Sequence, residues 1–572
     1  DISIEGVSTK EVYGGGNKAD TTESNVTITK AKGVINYVFG GGKEASVETT
    51  NVLVNGGSIK EVYGGSNQSG TVTNSNVTVD ADTKTTPEVL ANITYTVEKT
   101  TWQSTEYPTI AKIKMELINN TSSSITKYNG SLHIPNSKIF TNYTSTAITE
   151  EDYTYSFNEQ NIYYGTNPIP ANSSITLEFE VLSMESVEDF SVSHTFTAEN
   201  GTNSYVDTTG EKIIYVYGGN NIGGNTINSL VNVLDGNIGD VYGGGNIANT
   251  ANPVVNINGG NISKNVYGGG NQAIVTNSTN VSVTNGQVEG SVYGGGNGQT
   301  AIVNKNTLVN ISDKANITKH VFGGGNAAAT GLSENDNSTS TVNIAGGKIS
   351  GSVYGGANTS VVYGEAFVNI GANVISDSSL VKNDIDIAGT IFGGGEANES
   401  GSEIYDYSFI SVTTGINIKI DGEGYDNFAM HGSIFGSGNA SSTTGYSYIN
   451  IYNYGTFDNY QKNISIQRAD TVTISNSAIE LIGATDRTNE YSDVLFTISR
   501  VKKLKLKNNS TLFLQTGSNL LEHFNSLVDI NGTEELASVT IADDGTITKN
   551  VNNRLYMLEG KNLNVATNEQ VT

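Results

Sequence analysis

Side chains able to do chemistry are sparse and dispersed in this chain of 572 residues. There is no cysteine, which excludes disulfides, thiolate zinc sites and cysteine nucleophiles. The five histidines, His133, His194, His320, His431 and His523, never pair at ligand spacing and read as surface or incidental groups. No HExxH, GxSxG or phosphate-loop motif is present. Asp384 and Asp386 alternate on one strand and keep open a pair of carboxylates of the kind a glycosidase uses. The few arginines, Arg468, Arg487, Arg500 and Arg554, offer no basic cluster for an anionic sugar. Acids in the longer loops could attract Ca²⁺, but no Asp-x-Asp-x-Asp-Gly loop supports it, so no cofactor is expected.

Composition narrows the partners. The net charge is −26, with only 31 Lys and Arg, so phosphate backbones and anionic lipid heads are repelled and nucleic acid is not an expected partner. No run of about 18 apolar residues exists to span a membrane as a helix. Glycine is abundant, at 66, and proline rare, at 6; with Val, Ile and Asn this suits closely stacked short strands. Asp1 is not a natural start, so the chain is expected to be a mature or excised piece of a secreted, extracellular protein.

What must position any site is a repeat. Val12-Tyr13-Gly14-Gly15-Gly16-Asn17 returns ten times, with its aromatic at Phe39, Tyr63, Tyr217, Tyr242, Tyr267, Tyr293, Phe322, Tyr354, Phe392 and Phe435. The steps between aromatics are 26, 24, 154, 25, 25, 26, 29, 32, 38 and 43. A period near 25 is the mark of a solenoid. Within each coil a triplet such as Val26-Thr27-Ile28, Val255-Asn256-Ile257 or Val342-Asn343-Ile344 alternates at period two, so its aliphatics should point inward and its Thr or Asn outward. Such strands are too short to stand alone, but coils about 4.8 Å apart give each two neighbours.

Three columns follow. The Val or Ile before each aromatic is core. The aromatic column is either an exposed stacking surface for sugar rings or a stack packed in or against the wall; free exchange of Tyr and Phe favours packing, because no phenol is required. The glycines mark a bend where chain packs on chain without a Cβ, or where φ is positive. The third column, Asn17, Asn67, Asn220, Asn246, Asn271, Asn297, Asn326, Asn358 and Asn439, reads as an internal amide ladder. Such ladders resemble those of right-handed parallel β-helices of the pectate-lyase-like class, and that resemblance implies right-handedness.

The step of 154 holds roughly 129 residues more than one coil, an insertion at a turn. The insert carries the single Trp and every proline but Pro253. Its alternating runs, Ile93–Val97, Ala111–Leu117, Ser131–Ile134 and Ile175–Val181, suggest an antiparallel sandwich. Over about 80 residues, from Val97 and Trp102 through Ile113–Ser122 and Tyr128 to Ile169–Ser174, it resembles bacterial cellulose- and chitin-binding modules. In that family exposed Trp residues form a flat strip on glycan chains; here Tyr128 and Tyr143 stand at two such places, and the resemblance implies Trp102, Tyr128, Tyr143 and Tyr164 as candidates for stacking on sugar rings.

The expected organisation is all-β: β-helix coils at 1–82, an inserted β-sandwich at 83–211, hexad-bearing coils at 212–444 and leaner coils at 445–572. The leaner coils include Val472, Ile479, Leu504, Leu512, Val539–Ile541 and Leu563–Val565; Leu520–Phe524 reads as one helical turn. Extra residues of the later coils sit after the Gly-Asn bend, at 330–338 and 399–407, and should leave from one flank. The whole resembles repetitive secreted adhesin-like β-helix proteins. This implies a non-catalytic cell-surface adhesin or stalk, binding a glycan or a protein of a host or neighbouring cell. The alternatives are a surface filament of copies joined end to end, and a polysaccharide lyase or glycoside hydrolase.

Overall fold

In the computed structural model the chain is built of strands, and the one helical element among the described residues is a short 3-10 turn at Ala372–Val374. The structure describes residues 1–7, 9–31, 34–81, 89–99, 107–134, 136–145, 155–158, 161–164, 168–185, 192–200, 203–206, 213–333, 336–396, 409–481, 498–499, 503–508, 510–514, 539–541, 547–549 and 554–557. It divides into two compact units: residues 1–55, 59–81 and 213–572, and residues 56–58 and 82–212.

Large parallel sheets make the first unit. One has 14 strands, from Ile2–Val7 through Thr21–Ala31, Val47–Val54 and Thr71–Asp80 to Lys503–Lys507. The aliphatic triplets stack in register: Val26, Val52, Val77, Val231, Val255, Val281, Val309, Val342, Val368, Ile418 and Ile449 are successive partners. A second parallel series carries the hexads, pairing Val12, Val38, Val62, Val216, Val241, Val266, Val292, Val321, Val353, Ile391 and Ile434 in the same manner. Period-two alternation turns the aliphatics of both series toward one another, and they form one continuous core. Strands of two residues, such as Val266–Tyr267 and Val292–Tyr293, persist because each is hydrogen-bonded to the coil above and below. Ile59–Tyr63 pairs directly with Ile213–Tyr217, and Thr71–Asp80 with Asn225–Asp235, so the 82–212 excursion leaves the register unbroken.

The second unit is antiparallel. Ser137–Ser145, Ser173–Ser183, Thr109–Asn119 and Val89–Lys99 form a four-stranded sheet in that order. Tyr155–Asn158, Asn161–Tyr164, Lys127–His133, Ser193–Asn200 and Asn203–Val206 form a five-stranded one. Ala111, Ile113, Met115 and Leu117 of the first sheet and Tyr128 and Leu132 of the second belong to one buried cluster. Asn119 is buried, and its side-chain amide donates to the carbonyls of Ser123, Ile169 and Pro170 at 2.9–3.0 Å, tying two loops to the end of its strand.

Two expectations are corrected. Val539–Ile541 is not a further parallel coil: it pairs antiparallel with Ile547–Lys549, which pairs antiparallel with Arg554–Met557. Only five residues separate the first two strands, too few for the further coil of about 25 residues that a parallel partner would need. The extra residues of the later coils also leave from more than one turn. In the coil of step 38 they lie between Gly364–Ile370 and Ile385–Ile387, not after the Gly-Asn bend. Leu520–Phe524, Leu563–Val565 and 399–407 lie outside the described residues.

Candidate functional site

The aromatic column is a continuous stack. From Tyr13 to Phe435, successive ring centroids are 4.5–5.0 Å apart, with interplanar angles from 3° to 28°. Alternation points these rings away from the aliphatic core, yet ten of the eleven are buried in a cluster of their own, with Tyr13 packed against it. Each inner ring is covered on both faces by its neighbours. The residues two positions earlier add flanking cover: Tyr37 stacks at 6.1 Å on Phe39, and Tyr215 at 6.1 Å on Tyr217. Of the two readings open from the sequence, the structure holds the packed one. Burial pushes the phenols of Tyr63, Tyr217, Tyr242 and Tyr267 well above the usual tyrosine range, because a phenolate there would lose its hydration. Tyr63 donates to Glu61 at 2.5 Å.

The glycines that follow meet the facing strand. A Cβ on Gly64 would stand 2.0 Å from Ser75 Oγ and 2.6 Å from the Gly218 carbonyl; one on Gly40 would stand 2.4 Å from the Gly64 carbonyl. Neither has a positive φ, so close approach is the reason for glycine. A buried hydroxyl column completes this joint. Thr50, Ser75, Ser229, Thr279 and Ser340 donate to the carbonyls of Gly64, Gly218, Gly243, Gly294 and Gly355 at 2.5–2.6 Å; Ser24 and Ser447 do the same to Gly40 and Gly436. These bonds satisfy buried carbonyls and tie the two strand series together. Sequence reasoning missed them. The signal was present, since Ser24, Thr50, Ser75 and Ser229 each stand two positions before an aliphatic triplet.

The amide ladder exists, with changes of membership and place. Side-chain amides link Asn67, Asn221, Asn246, Asn271, Asn297, Asn326 and Asn358 at 2.8–3.0 Å. Glu396 takes the next place and accepts from Asn439 at 3.4 Å. Asn220 does not belong: it stands where other hexads have their third glycine, is buried, and accepts from Ser66 N–H at 2.8 Å. Asn17 is exposed, and Lys43 occupies the hexad's last place in the next coil, so the ladder begins at Asn67. Its members are half-buried and run beside the rings, not inside the aliphatic core. Asn67 donates to the Tyr13 phenol at 2.9 Å and Asn297 to the Tyr242 phenol at 3.4 Å.

Of the candidates for sugar stacking in the inserted unit, Tyr128 alone has a described side chain. Tyr128 is 8% exposed, within the unit's core, which corrects its reading as an exposed ring: its strand alternates, and this position faces the other sheet. Tyr143 lies on Ser137–Ser145 and Tyr164 on Asn161–Tyr164, in different sheets; their side chains, and Trp102 altogether, lie outside the described residues. His133 is exposed, and His523 falls outside the description. His320 is half-buried between the edges of Phe322 and Tyr354, accepts from Ser352 N–H through Nδ1 at 2.9 Å, and burial lowers its pKa. Asp386 is held by Lys348 at 3.5 Å and His431 at 3.1 Å, while Asp384 accepts from Asn427 at 2.8 Å. Among the described residues, no group of three or more His, Asp or Glu could hold a metal ion, and no helix is long and apolar enough to cross a membrane.

Most donors and acceptors of these columns are bonded to one another, though the buried Thr307 hydroxyl has no hydrogen-bond partner. Set against known protein families, characterised proteins and solved structures, the chain matches none.

Proposed function

We propose that this chain is a non-catalytic adhesin or stalk of a cell surface. In this reading the first unit is a right-handed parallel β-helix, and the inserted unit is an antiparallel β-sandwich presented, with the loops of the later coils, to a glycan or a protein of another surface. The observation that carries the reading is the expenditure of the repeat. Rings stack on rings from coil to coil, amides bond to amides, and in seven coils a hydroxyl bonds to a bend carbonyl. A repeat whose polar and aromatic groups serve the stack supplies a scaffold, and binding then falls to what departs from the repeat. The net charge of −26 disfavours nucleic acid as the partner.

Beads coated with the purified chain test this. Attachment to bacterial or host cells, without release of sugar from pectin or host glycans, is the expected result. Turnover of a polysaccharide, or no attachment to any cell, glycan array or protein array, overturns it.

A further inference from the structure

The outward face of the 14-stranded sheet is mostly polar and self-paired: Asn25, Asn51 and Asn76 form one amide chain, and Asn310, Asn343 and Asn369 another. On three successive strands, Gly364–Ile370, Gly415–Asp421 and Tyr446–Tyr452, that face changes character. Their inward residues, among them Val368, Ile418 and Ile449, are fully buried. The outward ones form a grid in register: Glu365, Gly415 and Tyr446; Phe367, Asn417 and Tyr448; Asn369, Lys419 and Asn450. Neighbours across strands are about 4.8 Å apart.

The grid is built around a notch. A Cβ on Gly415 would lie 2.5 Å from Tyr446 Cζ, so the missing side chain admits the Tyr446 ring. The phenol is pinned on both sides, donating to Glu365 Oε1 at 2.5 Å and accepting from Asn417 Nδ2 at 3.3 Å. Tyr448 stacks on Tyr446 with centroids 4.6 Å apart and is 40% exposed. Phe367, half-buried, stands on the far side of Asn417, two strand spacings or about 9.6 Å from Tyr448.

We propose that this grid is a binding platform for a neutral, extended, β-linked oligosaccharide of hexose or N-acetylhexosamine units. It goes beyond the adhesive reading above, which places binding on the inserted unit and the loops. A pyranose ring has an apolar C–H face and a hydroxylated edge. Tyr448 and Phe367 supply surfaces for the former, while Asn417, Glu365, Asn369 and Asn450 supply partners for the latter. Two rings with an amide between them span about a disaccharide, and a flat sheet suits an extended chain. An apolar protein surface fits worse, because Asn417 separates the rings and Lys419 and Glu365 border them. The chain's charge of −26 opposes acidic glycans. Because a strand carries each residue and Tyr446 is already fixed, little order has to be gained on binding.

The test is titration calorimetry of the full chain with cellohexaose and chitohexaose, with transfer of NMR saturation to the sugar as a second readout. Binding of at least one is expected, weakened roughly tenfold by Tyr448→Ala and severalfold by Phe367→Ala. Tyr446→Phe is expected to weaken it less, and Thr27→Ala, far away in the stack, not at all. Tyr448 is exposed, so an unchanged melting temperature will show that its variant is folded. The platform is overturned if both ring variants bind as the native chain does, or if the native chain binds neither hexaose. Cell attachment scored on the same variants judges the adhesive reading separately: attachment that survives loss of the platform leaves that reading standing.

Discussion

At the scale of the residue, each column tyrosine is a large buried body with a polar tip. Its ring replaces water with two neighbouring rings, and its hydroxyl is costly to ionise there. Phe39, Phe322, Phe392 and Phe435 occupy the same column, so the ring matters more than the phenol. Tyr217→Phe should therefore change stability by less than about 1 kcal/mol, whereas Tyr217→Ala should cost about 3–5 kcal/mol through a cavity in the stack; urea melts of the two variants decide it. Burial also sets a pH dependence. The folded pKa values of Tyr63, Tyr217, Tyr242 and Tyr267 lie above the unfolded one, so the folded state holds these protons more tightly. Their contribution is full below pH of about 10 and is lost as pH climbs above it. The melting temperature should fall from about pH 10 upward, with phenolate absorbance appearing together with unfolding. Replacing Tyr217, Tyr242 and Tyr267 by Phe should flatten that fall. Positions in this column were legible from the spacing, and the exchange of Tyr and Phe favoured packing; what covers the rings was not legible, because alternation points them outward and the cover is ring on ring.

At the scale of the element, the joint between hexad and triplet decides whether a coil closes. The first glycine of the hexad lies against the facing strand, and in seven hexads a hydroxyl reaches its carbonyl. Gly64→Ala would force a methyl group against Ser75 Oγ and the Gly218 carbonyl, and should destabilise by about 1–3 kcal/mol, read as a lower urea midpoint. The bend after it shows strain of another kind. Thr359 follows the ladder residue Asn358 and has φ of +57°, a conformation that a β-branched residue adopts at a cost of about 1–2 kcal/mol. Thr359→Gly should raise the melting temperature, and a fall would show that the threonine is held there by contacts worth more than the strain. The hexad told where a bend falls, but not which amide joins the ladder. In the fourth hexad an Asn stands at the third glycine's place, and the ladder passes to Asn221.

For the whole molecule, the two units have separate apolar clusters and different strand geometry, parallel in one and antiparallel in the other. Because Ile59–Tyr63 pairs with Ile213–Tyr217 across the excursion, the larger unit does not depend on the smaller one for its register. Calorimetry of the full chain should show two transitions, and Tyr217→Ala should move only one of them. A single transition shifted as a whole would mean that the units unfold together.

The sequence by itself determined that the chain is all-β and that a near-25-residue repeat stacks in parallel, because period-two alternation and the Val-Tyr-Gly-Gly-Gly-Asn hexad recur at matched offsets. Tertiary structure alone decided the rest: that rings of neighbouring coils bury an outward column, that Asn221 displaces Asn220, that Tyr128 faces a core, and that Gly415 leaves room for Tyr446. Each of these depends on what lies on the neighbouring coil or the facing sheet. Such partners are tens of residues away or more, and a side chain's own sequence neighbours say nothing about them.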